Sequence, residues 1–159
     1  MWRVGPVPSR SWQRRPSAAP CGVDASPEML ARARSKAARA GVEVRFENAA
    51  AQALPFSDAS FDLALGTMML HHLGRDPRRE LAAQLRRVLK PGGRVLLVDF
   101  AKGGTKGRRF AAHFRHRHGY VDLPEILGLL EGAGFRLGES GPVGIKSLHF
   151  ALATAPHRP

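Results

Sequence analysis

The sequence predicts an α/β fold: a doubly wound, mostly parallel sheet with helices on both faces. Three observations point there. From residue 22 onward, strand-like runs alternate with helix-like ones. The helix-like runs carry start and stop residues at their ends. Val95-Leu96-Leu97-Val98 is an unbroken apolar run, which suits a strand covered on both faces rather than one with a wet side.

Each element has its own warrant. Gly22-Val23-Asp24 is a short strand ending in a carboxylate. Ser26 is placed as a helix N-cap, Pro27 takes the first helical position, and Glu28 sits in the positive first turn. Met29, Leu30, Ala33 and Ala37 make one apolar stripe, and Gly41 is placed to end that helix. Val42, Val44 and Phe46 alternate with Glu43 and Arg45, which is a strand pattern. Phe61 to Leu65 reads as a buried strand. Asp76 with Pro77 caps a second helix, whose Leu81, Leu85, Val88 and Leu89 recur at helical spacing. Lys90-Pro91-Gly92-Gly93 stops it. Asp122 and Glu125 have capping-box spacing for a third helix. Ile126, Leu127, Leu130 and Ala133 give it a core face, and Gly134 ends it. Residues 136–140 and 147–154 read as two closing strands, an antiparallel pair at a sheet edge.

With 159 residues the chain has room for one domain around one sizeable core. No apolar run approaches the length of a membrane span. A single cysteine, Cys21, excludes a disulfide framework and fits a reducing cytoplasm. The net charge of +12 suggests a nucleic-acid binder, but its distribution argues otherwise. Residues 1–23 hold four Arg and no acid, and residues 101–120 hold six Lys or Arg and no acid. An end and a loop carry the excess, not a folded face, so nucleic acid is not the expected partner. Residues 1–21 hold four Pro, four Arg and both Trp, and follow neither a helical nor a strand period. They read as a disordered segment or a misframed translation, which leaves 22–156 as the domain.

Three blocks stand in order along the chain. They are Gly22-Val23-Asp24-Ala25-Ser26-Pro27-Glu28-Met29-Leu30, then Gln52-Ala53-Leu54-Pro55-Phe56-Ser57-Asp58-Ala59-Ser60-Phe61-Asp62, then Leu85-Arg86-Arg87-Val88-Leu89-Lys90-Pro91-Gly92-Gly93-Arg94-Val95-Leu96-Leu97-Val98-Asp99-Phe100. Together they resemble the class I S-adenosylmethionine (SAM) dependent methyltransferases, nearest the small-molecule branch with the ubiquinone and menaquinone methylases. The resemblance implies a Rossmann-like SAM methyltransferase fold, SAM as cofactor, and an enzyme that methylates a small-molecule acceptor.

It also implies a site. Asp24 would hold the ribose hydroxyls, and Ser26 and Met29 would touch the cofactor, with Met29 packed beside the adenosine. Ala50 and Ala51 would border the adenine. Relatives place an acid at the position of Ala50; losing that hydrogen bond costs on the order of 1 kcal/mol and weakens the site without abolishing it. Asn48 is a candidate substitute, and the Ala51 backbone N–H is retained. Asp62 matches an acid that organises the fold. Thr67 would border the methionine part. The loop Met68 to Leu73 would border the acceptor, with His71 and His72 able to orient it, to take its proton, or only to hold the loop. A turn-capping role for Asp24 and an ordinary strand-end role for Thr67 stay open. No catalytic residue is assigned. The sulfonium already activates the methyl group, so proximity and orientation supply most of the barrier reduction.

Other chemistries are weaker. His113, His116 and His118 have the spacing H-x-x-H-x-H, but Arg115 and Arg117 lie between them and no Cys or acid joins. A lid over the acceptor, favouring an anionic one, or a solvated loop fits better than a metal. A nicotinamide-dependent reductase would also use Asp24, but it requires G-x-G-x-x-G. Lys90-Pro91-Gly92-Gly93 lies between a helix end and a strand start, the wrong polarity for cradling phosphate.

Relatives open with a strand leading into a G-x-G-x-G-type turn, and that strand is central in their sheet. Before Asp24 this chain has only Gly5 and Gly22, and Arg3-Val4-Gly5-Pro6-Val7-Pro8 is a poor central strand because proline cannot donate to the ladder. The fold is therefore expected to lack its first strand and helix, leaving two neighbouring strands with unpaired edges. On that expectation the chain is an N-terminally truncated enzyme, or a non-catalytic relative that acts as a partner. No sequence feature assigns an oligomeric state.

Overall fold

The computed structural model describes residues 20–100, 121–144 and 147–157. Most of the 1–21 segment and the basic loop with His113, His116 and His118 lie outside the described residues. The chain divides into two compact units between Asn48 and Ala49.

The first unit is a β-α-β arrangement: β1 (Cys21–Asp24), α1 (Pro27–Arg39) and β2 (Arg45–Asn48). The strands pair in parallel, from Cys21 opposite Arg45 to Asp24 opposite Asn48. Ser26 caps α1, its Oγ accepting from the Met29 N–H at 3.3 Å, and Pro27 opens the helix. Leu30 and Ala37 are buried and Ala33 is half-buried, whereas Met29 is exposed. The buried stripe is thus narrower than the sequence suggested, because Met29 sits about 100° round the helix from Leu30.

The C-terminus of α1 explains a shifted boundary. Gly41 has φ +65°. Its N–H donates to Ala38 O, and the Val42 N–H donates to Ala37 O, both at 3.1 Å. These two bonds make a Schellman closure, which needs a left-handed residue at Gly41. Val42 is engaged in ending the helix, so the strand expected from Val42 starts only at Arg45.

The second unit holds β3 (Phe61–Thr67), a 3₁₀ turn (Leu70–His72), α2 (Arg75–Val88), β4 (Leu89–Phe100), α3 (Leu123–Gly132), β5 (Arg136–Pro142) and β6 (Leu148–Thr154). The sheet order is β3-β4-β6-β5. β3 runs parallel to β4, and the β4–β6 and β5–β6 pairs are antiparallel, with β5 at the edge as expected. Leu81 and Leu85 of α2, Ile126 and Leu130 of α3, Val95 and Leu97 of β4, and Ala151 and Ala153 of β6 share one core. Val95 lies opposite Ala153 and Leu97 opposite Ala151, so both helices cover the same sheet face. α3 also ends in a Schellman closure, with Gly134 at φ +81° and the Phe135 N–H donating to Leu130 O at 3.0 Å.

Four local expectations are corrected. The N-cap of α2 is Gly74, not Asp76; its carbonyl accepts from the Arg78 N–H at 3.1 Å, and Asp76 and Pro77 lie in the first turn. Both suit that place, since an acid complements the helix dipole and a proline there forfeits no helical bond. α2 ends at Val88, ahead of Lys90-Pro91-Gly92-Gly93, which forms a bulge inside β4. Phe61 opposes Leu89, but Leu63 already opposes Arg94. The bulge stays in the ladder: the Gly92 N–H donates to Ala155 O, and the Ala155 N–H donates to Gly93 O, both at 2.8 Å. At α3, Asp122 is the N-cap residue, but no capping box forms, because Glu125 accepts from Arg78 Nη1 at 2.6 Å instead of reaching back. Finally, β3 is not buried on both faces. Leu63 is 53% and Leu65 65% exposed, while Phe61 and Ala64 pack on the core. Among the described residues β3 pairs only with β4 and β1 only with β2.

Candidate functional site

In doubly wound sheets, ligands sit at the carboxyl ends of strands. In the first unit that end belongs to Asp24. Its Oδ1 accepts from the Ser26 N–H at 2.8 Å, and its backbone carbonyl accepts from Asn48 Nδ2 at 3.0 Å. The turn-capping role is therefore real, and it uses one carboxylate oxygen. Oδ2 carries no hydrogen bond among the described residues. Asn48, the candidate substitute for the missing adenine acid, braces Asp24 through Nδ2, a bond that does not use Oδ1, the atom an adenine amine would need as acceptor. Ser26 serves as the helix cap, and Met29 projects from the first turn of α1 with an exposed side chain.

In the second unit, Ala50 and Ala51 are half-buried in a turn closed by the Ala53 N–H donating to Ala50 O at 3.0 Å. Thr67 ends β3 as an exposed residue opposite Val98. Met68 follows at φ +52°, its N–H donating to Val98 O at 2.8 Å, and turns the chain into Leu70–His72. Asp62 pairs with Lys90 Nζ at 2.9 Å on the surface near the start of β3, at the opposite end of that strand from Thr67.

The two histidines have different fates. His71 is buried and His72 exposed, with ring centroids 4.0 Å apart. His71 Nδ1 lies 2.6 Å from Asp99 Oδ1. Asp99 is fully buried at the carboxyl end of β4 and accepts further bonds from the N–H groups of Leu70 at 2.7 Å, His71 at 3.4 Å and Phe100 at 2.7 Å. An ionised carboxylate only accepts, so with Asp99 ionised the ring hydrogen sits on Nδ1. The Phe100 ring meets His71 edge-on at 5.2 Å. From the other side, Arg78 Nε donates to Leu70 O at 2.9 Å. The turn carrying His71 is thus held by a carboxylate on its N–H groups and a guanidinium on its carbonyl.

Asp99, Arg78 and Arg87 were not singled out by sequence reasoning. Asp99 left a signal, a lone carboxylate closing the apolar run Val95 to Val98. The two arginines left none, since each resembles a surface charge on a helix. Among the described residues no group of three or more His, Cys, Asp or Glu is placed to hold a metal ion. Nor is any described helix long and apolar enough to cross a membrane.

Comparison with known proteins bears on the family and the fold. A family model described as a methyltransferase domain matches residues 7–93, opening upstream of Gly22, where the recognisable motifs start. The demethylmenaquinone methyltransferase of Thermus thermophilus is 37% identical over 122 residues, covering 76% of this chain and 52% of its own length. That of Deinococcus radiodurans is 36% identical over 122 residues, covering 76% and 48%. The chain thus spans about half the length of these curated relatives. The solved structure of a SAM-dependent methyltransferase from Methanosarcina mazei shares the fold, with a TM-score of 0.73 at 22% identity over 87% of this chain and 82% of that one. Motif order, strand arrangement and the matched family model converge: this chain belongs to the class I SAM-dependent methyltransferase family, whose cofactor is S-adenosylmethionine.

Proposed function

We propose that the protein transfers a methyl group from SAM to a small-molecule acceptor in the cytoplasm. The observation that carries this reading is Asp24. A carboxylate stands at a strand's carboxyl end, with one oxygen fixed by the turn and the other left to accept from a ligand.

Each unit offers groups of the kind that the cofactor needs. Asp24 Oδ2 supplies the acceptor that a ribose diol requires, with Ser26 setting the turn that aims it. Met29 supplies exposed apolar surface for the adenosine. Ala50 and Ala51 offer backbone groups to the adenine, and Thr67 offers a hydroxyl at a strand end to the amino-acid part. When bound, SAM supplies an electrophilic methyl on a positive sulfur. The chain's own task is to orient the acceptor and exclude water. His71, locked by Asp99, and the exposed His72 border the acceptor side of this reading. His71 is held too rigidly to swing and serves to fix the turn, leaving His72 to meet the acceptor.

Isothermal titration with S-adenosylhomocysteine tests the proposal. The unmodified protein is expected to bind, and Asp24→Ala to weaken binding by roughly tenfold or more, the value of a hydrogen bond to a charged group. Equal affinity in the two proteins would remove Asp24 from the site. No heat from either would remove the cofactor.

A further inference from the structure

Leu54 to Asp58, within the second of the three family-like blocks, has no regular secondary structure, yet one side chain gathers it. Arg87, in the last turn of α2, donates from Nη2 to Leu54 O at 2.9 Å. Its Nη1 donates to Phe56 O at 2.6 Å and to Asp58 Oδ1 at 2.9 Å. Behind the guanidinium, Gln84 Oε1 accepts from Nη2 at 2.8 Å and from Nε at 3.2 Å. These five contacts match the five N–H donors of an arginine. The backbone of the same helix end continues the clamp, with the Ala59 N–H donating to Arg87 O at 3.0 Å and the Ser60 N–H to Val88 O at 2.8 Å.

Two carbonyls from an irregular loop and a carboxylate thus converge on one planar fork, which a lysine's point charge cannot reproduce. Immediately upstream is the turn of Ala50 and Ala51, closed onto Ala53. Ala51 and Leu54 also pack against the core, so the turn has two anchors, one apolar and one ionic. The side chain at position 50 carries no polar group. Ala51 carries none either, so any polar contact these two residues make with the adenine comes from backbone atoms, and backbone atoms are only as well placed as the loop that carries them.

The geometry points to Arg87 as a positioning residue for the cofactor: through Leu54 and Phe56 it sets the turn of Ala50 and Ala51 that meets the adenine. This rests on the SAM-binding reading above. Arg87 itself touches no ligand. Its task is to remove, before binding, the conformational freedom that the loop would otherwise lose on binding.

The test uses the whole chain with Arg87→Met and Arg87→Lys, in two measurements. Amide hydrogen exchange without ligand reports on the clamp. Titration with S-adenosylhomocysteine reports on positioning. Exchange over residues 50–58 should rise about tenfold or more in Arg87→Met, and the dissociation constant should rise about tenfold, with Arg87→Lys between it and the unmodified protein. Exchange that rises while affinity stays unchanged would overturn the positioning role and leave a purely structural brace. Unchanged exchange would overturn the clamp itself. An unmodified protein that gives no heat removes the SAM reading and this role together, while the exchange result still reports separately on the clamp. If Arg87→Met does not fold, Gln84→Ala withdraws the backing of the guanidinium without touching the loop, and about threefold weaker binding is expected.

Discussion

Asp99 accepts four hydrogen bonds while fully buried, three from backbone N–H groups and one from the His71 ring. A buried carboxylate is tolerable only when so satisfied, and its partners are tolerable only while it is there. Asp99→Asn keeps the volume but sets an amide NH₂ against N–H donors. We expect a loss of about 2–4 kcal/mol in urea unfolding, with the loss concentrated in the turn 70–72. A change below about 0.5 kcal/mol would mean that water or rearrangement replaces the carboxylate. Of the site residues named from sequence, Asp24 and Ser26 occupy the local geometry foreseen for them: the strand tip and the helix cap. His71 was legible as a residue near the end of β3 but not as a buried one. Its burial depends on a carboxylate 28 positions away, and no local pattern encodes that.

At the scale of elements, two glycines separate conformational from steric cost. Gly41 ends α1 at φ +65° with nothing within 4 Å of where a Cβ would stand. Gly41→Ala should therefore cost only the left-handed penalty, about 1 kcal/mol. Gly93 lies in the β4 bulge, where a Cβ would come 2.8 Å from Lys90 O and 3.2 Å from Phe61 O. Backbone oxygens cannot step aside as a side chain can, so Gly93→Ala should cost more, about 2–3 kcal/mol, and disturb the β3–β4 register. Chemical unfolding of the two variants side by side checks the order; Gly41→Ala as the costlier change would contradict it. Helix ends were legible because capping signals lie within a few residues of the boundary. The bulge was not: Lys90-Pro91-Gly92-Gly93 breaks a helix in any context, but its bonds to Ala155, and the register of Leu89 and Arg94 on either side of it against β3, are set by other strands.

At the scale of the whole chain, the two units differ in what holds them. Among the described residues the first joins one helix to a two-stranded sheet, and its buried apolar residues are Leu30 and Ala37. The second encloses a continuous core from Leu70 to Ala155. Two strands with few buried side chains are marginal, whereas four strands under two helices resist opening. Native-state hydrogen exchange should show β1 and β2 amides exchanging at least about tenfold faster than those of β4 and β6, through an opening that leaves the second unit intact. Equal, fully cooperative protection of all four strands would refute this.

Read alone, the sequence determined the alternation of strands and helices, the caps that bound α1 and α3, the strand-tip position of Asp24, and the family. These follow from periodicity and from signals confined to a few neighbouring residues. Only the tertiary structure decided that Arg87 would gather a loop 29 to 33 positions away, that Asp99 would bury His71, and that β3 would leave Leu63 and Leu65 uncovered. Which long-range partner a charged side chain meets, and which strand lies at an edge, depend on the packing of the unit as a whole.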